Sequence, residues 1–368
     1  MTASVHVVRR YSTKGGMEKY VWELTHALAE LGEQVTVVCE QQEEPLVLSD
    51  QCKGIITVKT LGVIKPKPRW RSMKKFSAAV SDYFAQHPHQ GEVIHSHERT
   101  AVHHVTTIHG PSILTRKRRL LDALSPRLRT WEFLECREVL GEQVQCVLPN
   151  SQPIAEQLLT YYPDVRARLG EPALPGVSEA FYQLRETRKA RVAGEPLRCV
   201  FIGKEWKRKG LDILAEALVP LAQNHKLHLT VAGPECDEIA ALFKQWPSDS
   251  YILKGWAEPL ALLAEADVLL HPARNEPFGM AIAEANAAGC RVLVSEHCGI
   301  APIIEPDMGQ VLALNVESWR AALELMASGA ELKVPTEISL TWKALAERHI
   351  TLYDSIEFRK TNKERLNA

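Results

Sequence analysis

The chain has 368 residues, more than one hydrophobic core usually covers, so two domains are expected. Apolar residues make up 45% and charged residues 24%, which is ordinary for a soluble globular protein, and no run of 18 uncharged apolar residues suggests a membrane span. Because 44 Lys and Arg balance 45 Asp and Glu, net charge indicates no class of partner, and only local clusters are informative. The N-terminal stretch lacks the long apolar core of a signal peptide, and the eight cysteines form no C-x-x-C pair. We therefore expect reduced cysteines and a cytoplasmic location.

Short β-branched runs alternate with helical patterns along the whole chain. The first run, 5–8, precedes a helix whose apolar residues recur at helical spacing from Met17 to Leu31. A second helix is predicted over 211–224. Strands separated by helices indicate parallel sheets, and hence a doubly wound α/β chain. The further predicted strands are 34–39, 92–96, 104–108, 144–148, 198–203, 227–233, 251–255, 266–272 and 291–296.

Periodicity breaks down between about 170 and 197, where prolines, glycines and charges accumulate. We therefore predict two Rossmann-like domains that face a cleft, one over residues 1–172 and one over 173–351. The tail from about 352 to 368 is predicted to be helical and to pack back on the first domain.

Ligands of open α/β sheets bind at the carboxyl ends of strands, where a strand leads into a helix. The segment TKGGMEKY (13–20) is such a junction. Gly15 and Gly16 permit a tight turn and a close backbone approach to a ligand, and the following helix directs its N-terminal amides towards it. A plain strand–helix turn is the alternative interpretation.

The segment FIGKEWKRKGLD (201–212) is a second junction and carries a cluster of cations. Such a cluster is repulsive unless it is solvated or faces anions. Its position at a strand end favours phosphate, and a solvated loop is the alternative. The four cations are Lys204, Lys207, Arg208 and Lys209.

The segment EPFGMAIAEANAAGC (276–290) is a third junction. Phe278, Gly279 and Met280 present free amides at a helix N-terminus, a suitable site for an anion. Glu276 either serves that site or only caps the helix. Glu284 lies on an otherwise apolar helical surface, which favours a carboxylate that accepts two vicinal hydroxyls; a structural salt bridge is the alternative.

Five histidines lie between 95 and 110. Packing and hydrogen bonding are favoured over a metal site because no acidic or cysteine partner motif accompanies them. His109, at a strand end before Gly110, is the best placed to face the cleft. The chain contains no D-x-D sequence, no phosphate loop of the G-x-x-x-x-G-K-[ST] type, no G-x-S-x-G elbow and no G-x-G-x-x-G after the first strand.

Glu276 and Glu284 resemble the E-x7-E motif of retaining glycosyltransferases of family 4, which have the GT-B fold. The resemblance covers most of residues 4–310. GGMEKYVWELTHALAELGEQVTVV is similar to the family's glycine loop and first helix, and TTIHG to its histidine strand end. FIGKEWKRKGLDILAEAL is similar to its VGR-x4-KG segment, and residues 255–300 to its nucleotide-binding core. The family uses sugar nucleotides, so the resemblance implies a hexosyltransferase with no metal and no cofactor, and a UDP-sugar is the preferred donor.

The resemblance also implies a role for each matching residue. Lys204 and Lys209 would bind the diphosphate, although Lys204 stands where the family usually has Arg and so lacks the bidentate fork. Glu284 would bind the ribose hydroxyls and Glu276 the hydroxyls of the donor sugar. The remaining implied contacts are the amides of Phe278, Gly279 and Met280 with the phosphates, His109 with the reacting sugar, and Gly15 and Gly16 with the diphosphate or acceptor side. Among these, the catalytic residues are predicted to be His109, Glu276 and Lys209.

The acceptor is expected to bind the N-terminal domain and the donor the C-terminal domain. Residues 65–75 and 115–131 mix cations with aromatic or leucine side chains, a pattern that suits an anionic membrane surface or a phosphorylated glycolipid. A solvated surface is the alternative, and nucleic acid is not expected. We therefore favour a lipopolysaccharide-core or other surface-glycan transferase at the inner face of the plasma membrane. The competing hypotheses are a nucleotide-sugar epimerase or hydrolase of the same fold and a non-catalytic nucleotide-sugar-binding partner.

Overall fold

The computed structural model describes residues 3–48, 52–64, 68–88, 91–117, 122, 124–188, 191, 194–328 and 333–367, with side chains up to 356 in the last helix. The chain divides into two compact units. The first comprises Met1–Gly176 together with Thr341–Ala368, and the second comprises Val177–Leu340.

Within its described residues, the first unit contains a six-stranded parallel sheet with the strand order β3-β2-β1-β4-β5-β6. Its strands are β1 (Ala3–Tyr11), β2 (Gln34–Gln42), β3 (Ile55–Thr60), β4 (Val93–Ser96), β5 (Val105–Ile108) and β6 (Cys146–Pro149). Its helices are α1 (Gly16–Glu30), α2 (Arg69–Gln86), α3 (Pro126–Leu140), α4 (Gln152–Tyr161) and the last helix of the chain (Trp342–Asn367).

The second unit repeats the plan with the order β12-β11-β10-β7-β8-β9, and again the strand pairs are parallel. Its strands are β7 (Leu197–Ile202), β8 (Leu227–Ala232), β9 (Tyr251–Leu253), β10 (Val268–His271), β11 (Arg291–Ser295) and β12 (Gly309–Leu312). Its helices are α5 (Glu179–Thr187), α6 (Leu211–Ala217), α7 (Val219–Gln223), α8 (Cys236–Ile239), α9 (Pro259–Glu265), α10 (Met280–Ala287) and α11 (Val316–Ser328), and the helix Trp342–Asn367 of the first unit is α12.

Both sheets follow from apolar patterning. The central strands β4, β5 and β10 are buried along their whole length, as expected for parallel strands covered by helices on both faces. Helix α1 directs Tyr20, Leu24 and Leu28 inwards at helical spacing. Helix α12 packs on α1, and the rings of Tyr20 and Trp342 meet edge to face at 5.5 Å.

The predicted doubly wound α/β class is confirmed, but two strands were not predicted. Both β3 and β12 lie at a sheet edge, where half or more of their residues are exposed and the apolar run is interrupted. The helix predicted over 211–224 is two helices, because Pro220 starts a new turn after Leu218. Among the described residues, no helix is long and apolar enough to cross a membrane.

Candidate functional site

Two loops of the second unit meet because their strands are neighbours. Strand β7 pairs with β10, so the loops that follow them leave the same edge of the sheet. The amide of Arg274 in the second loop donates to the carbonyl of Arg208 in the first at 2.8 Å. The Arg274 guanidinium also donates two hydrogen bonds to the Asp212 carboxylate, at 2.9 and 2.7 Å. The chain thereby joins two segments that lie more than sixty residues apart.

Glu276 lies at the centre of this junction and is surrounded by cationic and imidazole groups. Its Oε2 atom is 3.0 Å from Nζ of Lys209 and 3.3 Å from a terminal nitrogen of Arg208. Nε2 of His271, the last residue of β10, is 3.2 Å from the same oxygen. The Glu276 side chain is only 12% exposed, so its charge is stabilised by these neighbours rather than by water.

The protonation of the junction follows from burial and charge. Burial by itself raises the pKa of Glu276, but the hydrogen bond with His271 and the charges of Lys209 and Arg208 outweigh it and hold the pKa far below its ordinary value. Burial and the nearby Lys209 lower the pKa of His271 to about 4. At neutral pH Glu276 is therefore a carboxylate, and the neutral His271 ring donates to it through Nε2 while Nδ1 is left without a hydrogen-bond partner.

Gly203 makes room for the Lys209 side chain, and Gly210, the next residue after Lys209, makes room for the Pro272 backbone. Gly203, at the end of β7, has φ +151°, and a Cβ there would lie 2.1 Å from Cδ of Lys209. Gly210 has φ +77°, and its Cβ would lie 2.0 Å from the carbonyl oxygen of Pro272. The Lys209 side chain thus packs directly on the Gly203 backbone at the strand end, and this contact fixes the position of its ammonium group.

Helix α10 begins beside Glu276 with its first amides free of any side-chain cap. Its N-cap, Gly279, has φ 114° and ψ 58° and, being glycine, has no side chain that could cap the helix. The Glu276 carboxylate contacts Lys209, Arg208 and His271, so it does not serve as the helix cap. The carbonyl of the buried Phe278 is held by the amide of Ile300 at 2.9 Å. Met280 opens the helix, and Glu284, one turn further on, is 6% exposed.

The other cations of the first loop differ from Lys209. Lys204 and Lys207 are exposed, and Nζ of Lys207 lies 5.0 Å from the centre of the Trp206 ring. The structure therefore divides the predicted cluster into an inner pair, Arg208 and Lys209, which binds Glu276, and an outer pair that faces solvent.

Gly15, Gly16 and His109 belong to the first unit. Gly15 is the N-cap of α1, with φ 99° and no side-chain cap, and both glycines are exposed. His109 follows β5, and its Nε2 lies 3.0 Å from Nδ1 of His97. Burial lowers the pKa of His109 to about 3, so its ring is neutral at physiological pH.

Behind His109 lies a buried group of imidazoles. His6, His95 and His97 have ring nitrogens within 4.8 Å of one another, a spacing that could hold a metal ion. Hydrogen bonds already use most of these nitrogens. Nδ1 of His6 lies 3.1 Å from Nε2 of His97, and His95 contacts the Tyr353 hydroxyl at 2.6 Å and the Thr107 hydroxyl at 2.8 Å.

Sequence reasoning missed His271 and the contact of Arg208 with Glu276. His271 lies at the end of a predicted strand, five residues before Glu276, and that position at the ligand-binding edge was the available signal. In the two basic segments, residues 65–67, 118–121 and 123 lie outside the described residues. Of the others, Pro68, Arg69, Trp70, Thr115, Arg116, Arg127 and Trp131 line one cavity of the first unit.

Comparison with known proteins shows the family and the fold of the chain. Residues 14–169 match the family described as Glycosyltransferase Family 4, and residues 196–328 match the one described as Glycosyl transferases group 1. The structure is similar to that of WaaG, a glycosyltransferase involved in lipopolysaccharide biosynthesis, with a TM-score of 0.74, 20% identity and 95% of both chains covered. Two parallel-sheet units and this similarity define the GT-B fold. The chain belongs to glycosyltransferase family 4, so the predicted family, fold and enzyme class are confirmed.

Two curated relatives match parts of the chain. The lipopolysaccharide glucosyltransferase WaaG of Escherichia coli K12 is 36% identical over 118 residues, which are 30% of this chain and 32% of the relative. An uncharacterized 41.2 kDa protein in the cps region of Klebsiella pneumoniae is 23% identical over 215 residues, which are 57% of this chain and 58% of the relative. The chain thus spans about a third and somewhat over half of the length of these two relatives.

Proposed function

We propose that the protein is a retaining, metal-independent glycosyltransferase that moves a hexose or related sugar from a nucleotide sugar, with a UDP-sugar preferred, to a glycan or glycolipid. The observation that carries the proposal is the ion-paired unit of Lys209 and Glu276 beside the uncapped N-terminus of α10. It combines a cation and free amides, which suit phosphate, with a carboxylate, which suits sugar hydroxyls.

The transfer step needs stabilisation of a leaving group. Breaking the anomeric C–O bond leaves an oxocarbenium-like sugar and a nucleoside diphosphate that gains negative charge. Lys209, aided by the outer Lys204 and the amides of Phe278 to Met280, supplies positive charge where that charge develops. The position of Lys209 is fixed, because Gly203 leaves room for its side chain and Glu276 forms an ion pair with its ammonium group.

Retention follows when the acceptor hydroxyl attacks from the face that the diphosphate leaves. The departing phosphate oxygen then takes the proton of the acceptor hydroxyl, so no protein nucleophile is required. We assign Glu276 to the hydroxyls of the transferred sugar, Glu284 to the ribose, and His109 to the reacting sugar. Gly15 and Gly16 are assigned to backbone contacts with the diphosphate or the acceptor.

The acceptor assignment is supported by the relatives. WaaG of Escherichia coli is by name a lipopolysaccharide glucosyltransferase, and the Klebsiella relative is encoded in a cps region. We propose a surface glycan, with lipopolysaccharide core preferred, and work at the inner face of the plasma membrane. The basic segments 65–75 and 115–131 support contact with an anionic surface there.

The stereochemistry offers a test of this function. The enzyme is incubated with α-linked UDP-, GDP- and ADP-sugars in EDTA, and the first sugar product is followed by proton NMR before it mutarotates. We expect one donor to give the α-anomer together with its nucleoside diphosphate. Release of the β-anomer would contradict retention, and no turnover without added metal ions would contradict metal independence. An epimerised nucleotide sugar would favour the epimerase alternative.

A further inference from the structure

The first unit contains a cavity of about 520 Å³ that lies within the size range of small-ligand sites, ~300–1,000 Å³. The two basic segments of the sequence converge on it, because α2 starts at one side and α3 at the other. Its lining combines arginines with tryptophans, namely Arg69, Trp70, Arg99, Arg116, Arg127 and Trp131.

The arginines stand where helix electrostatics disfavours them. Arg69 is the first residue of α2, whose N-cap is Pro68 and whose first turn has no acid and no side-chain cap. Arg127 lies in the first turn of α3, which also has no acid. The N-terminus of a helix carries partial positive charge, so cations there are unfavourable and anions favourable. Two helix starts that carry arginine and border one cavity therefore suit an anionic ligand.

Two of these arginines form no ion pair with the residues that the structure describes. Among the side chains that the structure describes, no carboxylate lies within 4.0 Å of Arg116 or Arg127, and both are exposed. Arg99 differs, because it donates to the buried Glu135 at 2.9 Å and covers the Trp131 ring at 5.1 Å. Arg99 thus has a structural role in the wall of the cavity, whereas the guanidinium groups of Arg116 and Arg127 are available to bind an anionic ligand.

The wall of the cavity is preorganised by Glu135. Its carboxylate accepts hydrogen bonds from the Ser112 hydroxyl, from the Ile113 amide at 3.0 Å and from the Tyr162 hydroxyl at 3.1 Å. Together with Arg99, these contacts fix the turn that carries Arg116 relative to α3. A site whose walls are already ordered loses less conformational entropy when a ligand binds, so less of the binding free energy is lost.

We propose that this cavity is the acceptor subsite and that it binds a saccharide bearing a phosphomonoester. Arg116, Arg127 and the free amides at the start of α2 hold the phosphate, and Trp70 and Trp131 contact the sugar ring. The inference rests on the proposed function and narrows its acceptor to phosphorylated saccharides.

The test measures binding of glucose 6-phosphate, glucose, glucuronate and inorganic phosphate to the full chain by isothermal titration at low salt. The variants are Arg116→Gln, Arg127→Gln and Trp131→Phe, and Arg166→Gln serves as control because it removes an exposed cation of the same unit outside the cavity. Thermal melting checks that each variant folds. We expect glucose 6-phosphate to bind more tightly than the other three probes. Loss of either cavity arginine should weaken it about tenfold, and the control should not.

Several results would overturn the inference. Equal affinity for glucose and glucose 6-phosphate would exclude phosphate recognition, and stronger binding of glucuronate would indicate a carboxylate site. If only vesicles rich in anionic phospholipid bind, and do so in a manner that depends on Arg116 and Arg127, the surface contacts a membrane instead. Hydrolysis of nucleotide sugars by the wild type distinguishes this inference from the proposed function. If the wild type hydrolyses a nucleotide sugar but binds no sugar phosphate, only the acceptor subsite is refuted. Absence of hydrolysis refutes the transferase.

Discussion

The ammonium nitrogen of Lys209 lies 3.0 Å from Oε2 of Glu276, so a cation proposed for the diphosphate and a carboxylate proposed for the adjoining sugar form one ion-paired unit. The two residues come from loops after adjacent strands, and Arg208 and His271 contact the same carboxylate oxygen. A phosphate that binds Lys209 therefore meets a lysine that is already ion-paired with Glu276. The contacts of Glu276 with Lys209, Arg208 and His271 fix the position of the lysine ammonium group, as preorganised stabilisation of charge requires.

Removal of the Lys209 charge tests the phosphate role. We expect Lys209→Gln to reduce kcat/KM for transfer about 100- to 1,000-fold, the usual effect of losing one group that stabilises developing charge. Lys207→Gln, which removes a neighbouring cation that stacks on Trp206, should leave the rate within about twofold. Equal losses in both variants would indicate a general electrostatic effect of the loop instead of a phosphate contact. Steady-state kinetics with the preferred donor measures both.

Gly203→Ala displaces Lys209 without removing it. The new Cβ would lie 2.1 Å from Cδ of the lysine, so the side chain must move. We expect donor affinity to fall about tenfold or more, with a modest loss of stability from the positive φ. Gly194→Ala is the matched control, because Gly194 also has a positive φ (+91°) in the same unit but no atom of the described residues within 4 Å of its Cβ position. If donor affinity falls equally in the two variants, backbone strain rather than lysine placement is responsible.

Glu276→Gln leaves Lys209 and Arg208 without their shared carboxylate. We expect a loss of roughly 1–3 kcal/mol in the free energy of unfolding at pH 7, together with strongly reduced transfer. The wild-type pKa of Glu276 lies far below the unfolded value of 4.5, so this contribution is complete above about pH 4.5 and declines as the pH falls. The difference between wild type and variant should therefore shrink in acid, as followed by urea unfolding between pH 7 and 3.5. A difference that is constant with pH would contradict the ion-pair explanation.

The buried histidines of the first unit should make the protein sensitive to acid. Burial lowers the pKa of His6 to about 3 and that of His349 to about 4, against 6.5 when unfolded. Because the unfolded chain binds these protons first, stability is complete above pH 6.5 and falls below it. Glu98 and Glu138 oppose this trend, since burial raises the pKa of each carboxyl to about 7 and their contribution improves on acidification.

The His349→Phe variant tests the histidine contribution directly. Each such histidine contributes on the order of 2 kcal/mol to the loss of stability between pH 6.5 and 5. The variant should therefore show a smaller drop in melting temperature over this range than the wild type. His87→Phe, which replaces an exposed imidazole, is the control and should behave like the wild type. A drop in melting temperature that is as large in His349→Phe as in the wild type would contradict this account.

Much of the fold was predictable because buried parallel strands are continuous apolar runs. Strands such as β4 and β10 are buried on both faces, and their residues alone identify them. The edge strands β3 and β12 escaped prediction, because exposure on one side mixes polar residues into a short run. An edge can be recognised only when the strand order of the sheet is known.

The candidate site was predictable residue by residue but not as a set of contacts. Glycines, cations and acids at strand ends indicated Lys209, Gly279 and Glu276. The association of Arg208 and His271 with Glu276 depends on β7 and β10 being neighbours in the sheet, which the chain order does not reveal. Likewise, the two basic segments predict an anionic partner, but their convergence on one cavity depends on the packing of α2 and α3.

The central claim is that Lys209 and Glu276 form the binding site for a nucleotide-sugar donor. Release of nucleoside diphosphate from a panel of UDP-, GDP- and ADP-sugars, in EDTA, by wild type, Lys209→Gln and Lys207→Gln tests it most directly. We predict slow release from one donor by the wild type and by Lys207→Gln, and almost none by Lys209→Gln. Release that is equally fast in all three proteins would contradict the assignment of the site, and no release from any donor would contradict the proposed activity.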